Sequence, residues 1–78
     1  MPTVLQRGPY RLFFYAGDAG EPPHVHVERD DRVAKFWLNP VRLESSGRFP
    51  RSELVDIHKL IVQERDTLLE AWNDYFHS

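Results

Sequence analysis

The stretch Pro22-Pro23-His24-Val25-His26-Val27-Glu28, followed seven residues on by Lys35-Phe36-Trp37-Leu38, decides how this chain folds. Its strict alternation has the two-residue period of a half-buried strand. His24, His26 and Glu28 therefore leave one face and Val25 and Val27 the other. With Asp30-Asp31 as the central pair of a two-residue hairpin, Arg29 faces Arg32, Glu28 faces Val33, Val27 faces Ala34, His26 faces Lys35, Val25 faces Phe36 and His24 faces Trp37. One face of that ribbon holds Val25, Val27, Ala34, Phe36 and Leu38, which is core. The opposite face holds His24, His26, Glu28, Lys35 and Trp37, the groups that carry chemistry.

Upstream, Thr3 to Arg7 and Tyr10 to Tyr15 are rich in β-branched and aromatic residues and are separated by Gly8-Pro9. They read as two short strands of a hairpin, whose register the awkward proline leaves open. The run Arg11 to Tyr15 is apolar on both sides, as expected of a strand inside a sheet or under a partner. Ala16 to Pro23 is a loop, and its two prolines force an extended entry into the histidine strand. Downstream, Asn39-Pro40 ends the second strand of the ribbon. Val41-Arg42-Leu43 can add a brief extended piece before the Ser45-Ser46-Gly47 loop.

From about Arg51 to about Phe76 the period changes. Leu54, Ile57, Ile61, Leu68, Ala71 and Tyr75 recur near one helical face, widened by Leu60, Trp72 and Phe76. Pro50 starts this helix, and no internal proline or glycine ends it. Some 26 residues at about 1.5 Å each give roughly 39 Å, longer than a six-residue strand at about 3.3 Å per residue. The surplus turns must overhang the sheet, bend, or pack on another molecule, and a homodimer through the long helix is one outcome. The expected fold is α+β: an antiparallel four-stranded sheet, with a short fifth strand if Val41–Leu43 pairs, and one long C-terminal helix on one face. It forms a single domain over residues 1–78, sheet about 3–43 and helix about 51–76.

Length and composition narrow the function. Seventy-eight residues approach the lower end of what one core stabilises without staples, which makes association with another chain plausible. The chain has no cysteine, which removes disulfides, thiolate metal sites and a cysteine nucleophile and fits a reducing compartment, so the expected location is the cytoplasm. Met1-Pro2-Thr3 lacks the basic start and apolar core of a signal peptide, and no apolar run is long enough to span a bilayer. The formal net charge of -2 argues against a generally cationic nucleic-acid binder, while leaving room for a local basic patch on RNA or DNA. No glycine-rich phosphate loop, serine nucleophile context or paired-carboxylate motif is present.

Three readings of the polar face remain. Imidazoles two apart on a strand point the same way, so His24 and His26 could hold zinc, nickel or iron. Glu28 is too far along an ideal strand to join them without a bulge, a third ligand is expected from a neighbouring strand, and Lys35 beside His26 repels a dication. Alternatively, His24, His26, Lys35 and Glu28 supply the groups of a metal-independent ribonuclease: one imidazole takes the 2'-hydroxyl proton, the other protonates the leaving oxygen, and the ammonium stabilises the phosphoryl charge. Trp37, Tyr15 and Phe13 would then stack an unpaired base. In the third reading, Glu28 and Lys35 form an ordinary cross-strand pair and the face binds a partner protein through Trp37, Tyr15 and Phe13. That reading accounts for aromatics beyond the needs of one core face. It requires no cofactor, a transition metal being the one these residues could take. His58 and His77 read as helix-flank and helix-end residues.

Met1-Pro2-Thr3-Val4, Phe13-Phe14-Tyr15, the segment from Glu21 to Glu28, Lys35 to Leu38 with Pro40-Val41, and Leu69-Glu70-Ala71-Trp72-Asn73-Asp74-Tyr75-Phe76 together resemble the small bacterial family catalogued as domain of unknown function 4160. Pro50 stands where the family pattern often places a capping serine. The resemblance implies no activity. It does imply a gene commonly paired with a second small gene, an arrangement similar to toxin-antitoxin pairs. The combined expectation is a cytoplasmic bacterial interaction module, one half of such a pair, with His24, His26, Glu28, Lys35 and Trp37 as its working face.

Overall fold

A computed structural model describes residues 3–77, so Met1, Pro2 and the part of the resemblance that rests on them lie outside the described residues. Five strands follow one another in space as they do in sequence: β1 (Thr3–Arg7), β2 (Tyr10–Phe13), β3 (His24–Arg29), β4 (Arg32–Leu38) and β5 (Val41–Ser45). Every neighbouring pair is antiparallel. The expected register of the central hairpin is observed at all six pairs, from Arg29 opposite Arg32 to His24 opposite Trp37. Asp30 adopts φ 55° in its turn, a left-handed conformation that aspartate tolerates better than most residues.

The fifth strand allowed for at Val41–Leu43 does pair along β4, and it runs longer than expected, over Val41–Ser45, after a cis Asn39-Pro40 bond. The first hairpin closes on two residues. Gly8 takes φ 53° and Pro9 supplies its fixed negative φ, a combination that suits a tight antiparallel connection. β2 stops at Phe13 instead of running to Tyr15. The chain then turns through a short 3-10 segment, η1 (Ala16–Gly20), within the expected loop.

The single long helix is corrected to two, α1 (Arg51–Gln63) and α2 (Arg65–His77), separated at Glu64, whose φ of -100° and ψ of 11° depart from helical values. Of the three ways to dispose of surplus length, the molecule bends. The break needs no proline or glycine. Arg65 donates from Nε to the Leu38 carbonyl at 3.0 Å and from Nη2 to Asn39 Oδ1 at 2.7 Å, tying the junction to the end of β4. Each shorter helix then follows the sheet closely enough to bury its own stripe. Ile57 and Ile61 of α1 and Leu68 and Trp72 of α2 are buried against Leu12, Phe14, Val25, Val27, Ala34, Phe36 and Leu38. Tyr75, expected on the core stripe, is exposed, whereas Trp72, expected to widen that stripe, is buried in the core, edge-on to Phe14 at 5.2 Å. No helix among the described residues is long and apolar enough to cross a membrane.

Candidate functional site

The sheet face away from the helices carries the residues singled out from the sequence. Phe13 lies opposite His26, and His26 opposite Lys35, so β2, β3 and β4 present these groups in a row. His24 and Trp37 form the next pair along. Strand alternation brings them together; the loop from Ala16 to Pro23 decides how they are used. It folds back over the histidines, and the face is not the open polar surface that alternation suggests. His24 is fully buried, His26 is 9% exposed, and Phe13, expected to contact a ligand, is 1% exposed. Phe13 stacks on the His26 imidazole at 5.4 Å and meets the Tyr15 ring edge-on at 5.1 Å. It supports the histidine from below. Tyr15 remains 38% exposed.

At the centre stands a residue the sequence reading missed. Asp18, buried in η1, places Oδ2 3.2 Å from His26 Nε2 and 3.1 Å from His24 Nε2. The same oxygen accepts the Tyr15 backbone N–H at 2.9 Å, the half of a capping box that fixes a carboxylate on the first turn of its own helix. His24 is oriented from its other side, where Nδ1 lies 2.9 Å from the Pro22 carbonyl. Because a carbonyl only accepts, Nδ1 carries the hydrogen and donates. His24 Nε2 is then buried without a hydrogen-bond partner. The 3.1 Å approach of Asp18 is an ion-pair distance, but its direction is wrong for a hydrogen bond. His26 does reach Asp18 with hydrogen-bond geometry. Burial lowers the pKa of His26, against the opposing pull of the Asp18 charge.

The donor atoms of Asp18, His24 and His26 all lie within 4.8 Å of one another. The third group that could serve a metal thus comes from a loop, and the expectation of a donor on a neighbouring strand is corrected. Around this cluster the aromatic contact is close: the His24 ring lies 5.6 Å from Trp37, 5.1 Å from Trp72 and 5.1 Å from His26, and Tyr15 is 4.5 Å from His26.

The expected Glu28–Lys35 pair does not form. Glu28 accepts from Arg11 Nε at 2.8 Å, and Lys35 donates to Glu21 at 2.6 Å. The hydrogen bond from Lys35 holds the Glu21 carboxyl below its usual range. Both cations also sit over aromatic rings, Lys35 4.7 Å from the Trp37 centroid and Arg11 4.2 Å from that of Phe13. Glu28 therefore belongs to a structural pair at the far end of β3, away from Asp18. His58 and His77 are exposed on the helices and join no cluster, as their sequence positions suggested. A shallow apolar groove between β5 and α1, lined by Phe36, Leu43, Leu54, Val55 and His58, contains none of the residues named for the site.

The family model for a domain of unknown function, DUF4160, matches residues 10–73, a span that includes Asp18, His24, His26, Lys35 and Trp37. No curated protein and no solved structure matches the chain.

Proposed function

Because the chain belongs to the DUF4160 family, we propose its role from the surface it carries: a small cytoplasmic bacterial interaction module, one component of a toxin-antitoxin-like gene pair, that docks the protein encoded beside it on the sheet face opposite the helices. The observation that supports this reading is the Lys35–Trp37 pair. The ammonium lies 4.7 Å over an indole that is itself half-buried and packs edge-on against His24, whose ring in turn reaches Trp72 of α2. Exposed Tyr15 and Arg42 and half-buried Arg11 extend the same aromatic and cationic character. Interfaces concentrate Trp, Tyr and Arg at the positions that dominate binding, and a partner offering apolar side chains ringed by carboxylates would complement this face.

Capture of the adjacent gene's product tests it. Truncating a tryptophan at the centre of an interface costs about 2 kcal/mol or more, so Trp37→Ala should weaken binding by roughly thirtyfold. Val62→Ala, on the exposed side of α1, should leave binding unchanged. Wild-type binding by a folded Trp37→Ala protein would discard the proposal.

The ribonuclease reading draws less from the geometry. Two imidazoles must reach a phosphodiester, yet His24 is fully buried, Lys35 is held by Glu21 and Glu28 by Arg11. RNA cleavage that persists in chelator and disappears in His26→Ala would restore it.

A further inference from the structure

We propose that Asp18, His24 and His26 bind one divalent first-row transition ion, of the zinc-like class that takes mixed nitrogen and oxygen donors. The proposal goes beyond partner docking and stands whether or not the sheet face binds a protein. His24 spends its Nδ1 hydrogen on the Pro22 carbonyl, so in the neutral ring Nε2 holds a lone pair. That atom is fully buried, has no hydrogen-bond partner, and sits 3.1 Å from a carboxylate oxygen that is also an acceptor. Two acceptors held this close in a buried site repel, and a positive centre shared by them removes the conflict. The centre is either a second proton on His24 or a cation; the remaining geometry favours the cation.

Asp18 Oδ2 lies 3.1 Å from one imidazole nitrogen and 3.2 Å from the other. Ligand atoms bound at about 2.0 to 2.1 Å around a tetrahedral ion stand roughly 3.3 to 3.4 Å apart, so the observed separations are close to two edges of such a shell. A site organised only to hold a proton between Asp18 and His24 would instead align the ring N–H with the oxygen, which this geometry does not.

The supports around the donors are those that metal ligands use. A ligating histidine characteristically donates its other ring N–H to a backbone carbonyl, as His24 does to Pro22, and a ligating carboxylate is itself hydrogen-bonded, as Asp18 is by the Tyr15 amide. The repulsion expected from Lys35 is moderated, because its ammonium is bound to Glu21. Two imidazoles exclude magnesium and calcium as preferred occupants, which take oxygen donors. Three protein donors leave a fourth position of a tetrahedral ion for water or another ligand.

The chain carries two tryptophans, and both touch His24. Occupancy is therefore readable by intrinsic fluorescence. Full-length protein without a histidine tag, stripped with chelator, is titrated with Co²⁺. Saturable quenching at one ion per chain is expected, reversed by Zn²⁺, with a rise in Tm on adding Zn²⁺ and none on adding Mg²⁺. Because His24 is buried and its removal could unfold the chain, the variants are Asp18→Asn and His26→Ala, each checked for native circular dichroism. Each should lose affinity at least about tenfold, whereas His58→Ala should bind as the parent does. Absence of binding, binding unchanged in both site variants, or an equal Tm rise with Mg²⁺ overturns the proposal.

Discussion

Tyr10 on β2 donates its phenol hydrogen to Glu53 Oε2 at 2.9 Å, across 43 residues of sequence. The same oxygen receives Arg29 Nη1 from β3 at 2.7 Å. One carboxylate on the first turn of α1 therefore fastens the helix to two adjacent strands, where a negative charge also suits the helix N-terminus. This tie lies on the helix side of the sheet, away from Asp18 and the histidines, so it can be altered without touching the candidate site. Tyr10→Phe removes one hydrogen bond of a part-buried group and leaves the ring packed near Phe49. The expected loss is roughly 1 kcal/mol, or about 4 to 8 °C in Tm for a domain of this size, by thermal unfolding. Capture of a partner should be unchanged.

The same tie predicts a pH dependence. Arg29 holds the Glu53 carboxyl below its ordinary range, with a smaller contribution from the Tyr10 hydrogen bond. A lowered folded pKa means that the unfolded chain takes up its proton first. The stabilisation is complete above the ordinary glutamate value of about 4.3 and is lost as pH falls through the lowered one. Glu21, held down by Lys35, adds in the same direction. Denaturant midpoints measured downward from neutrality should fall through this window in the parent. They should fall less steeply in Glu53→Gln; an equal slope would show that Glu53 carries no folded-state advantage.

The central hairpin was legible because His24 to Glu28 and Ala34 to Leu38 share one alternation and Asp30-Asp31 supplies the turn between them, so the pattern predicted the register residue by residue. The partner of Glu28 was not, since Arg11 becomes its neighbour only once β2 is paired to β3. Asp18 escaped for a related reason: a loop has no period, and nothing local says which side of the sheet it will cover. Its best sequence signal was modest, an acid three residues after Tyr15, where it can bind that residue's amide at the start of a helical turn. The break at Glu64 has no local signal, neither proline nor glycine, and the bonds that accompany it are remote: Arg65 reaches Leu38 and Asn39, some 26 residues earlier in the chain.

Gly47 offers a sharper test of backbone geometry. It has φ 57°, and a Cβ there would fall 1.9 Å from the Val33 carbonyl oxygen, which is backbone of β4 and cannot swing aside. Gly8 has a similar φ of 53° but no atom within 4 Å of the same point. Gly8→Ala should therefore cost only the left-handed conformation, about 1 to 2 kcal/mol. Gly47→Ala adds a displacement of the sheet and should exceed that cost clearly, reducing the yield of folded protein. Equal midpoints for the two variants in urea would show that β4 yields at Val33.

Arg65 carries the remaining prediction, and it separates a bend imposed by tertiary bonding from one intrinsic to the helix. Its guanidinium satisfies the Leu38 carbonyl at the end of β4 and grips Asn39 at 2.7 Å. Removing it strands a part-buried acceptor as well as deleting two charged hydrogen bonds, so Arg65→Ala should cost about 2 to 3 kcal/mol in denaturant unfolding. By contrast Asp31, in an ion pair with Arg48 whose side chains are 80% and 77% exposed, can become Asn with little change. If the junction is held open by Arg65, the variant's amides at residues 65–67 should gain hydrogen-exchange protection as α1 and α2 join into a continuous helix, while the Glu64 and Leu68 amides, already bonded to Leu60 and Glu64, change little. Unchanged protection at residues 65–67 would place the cause of the bend in the packing of Ile61 and Leu68 instead.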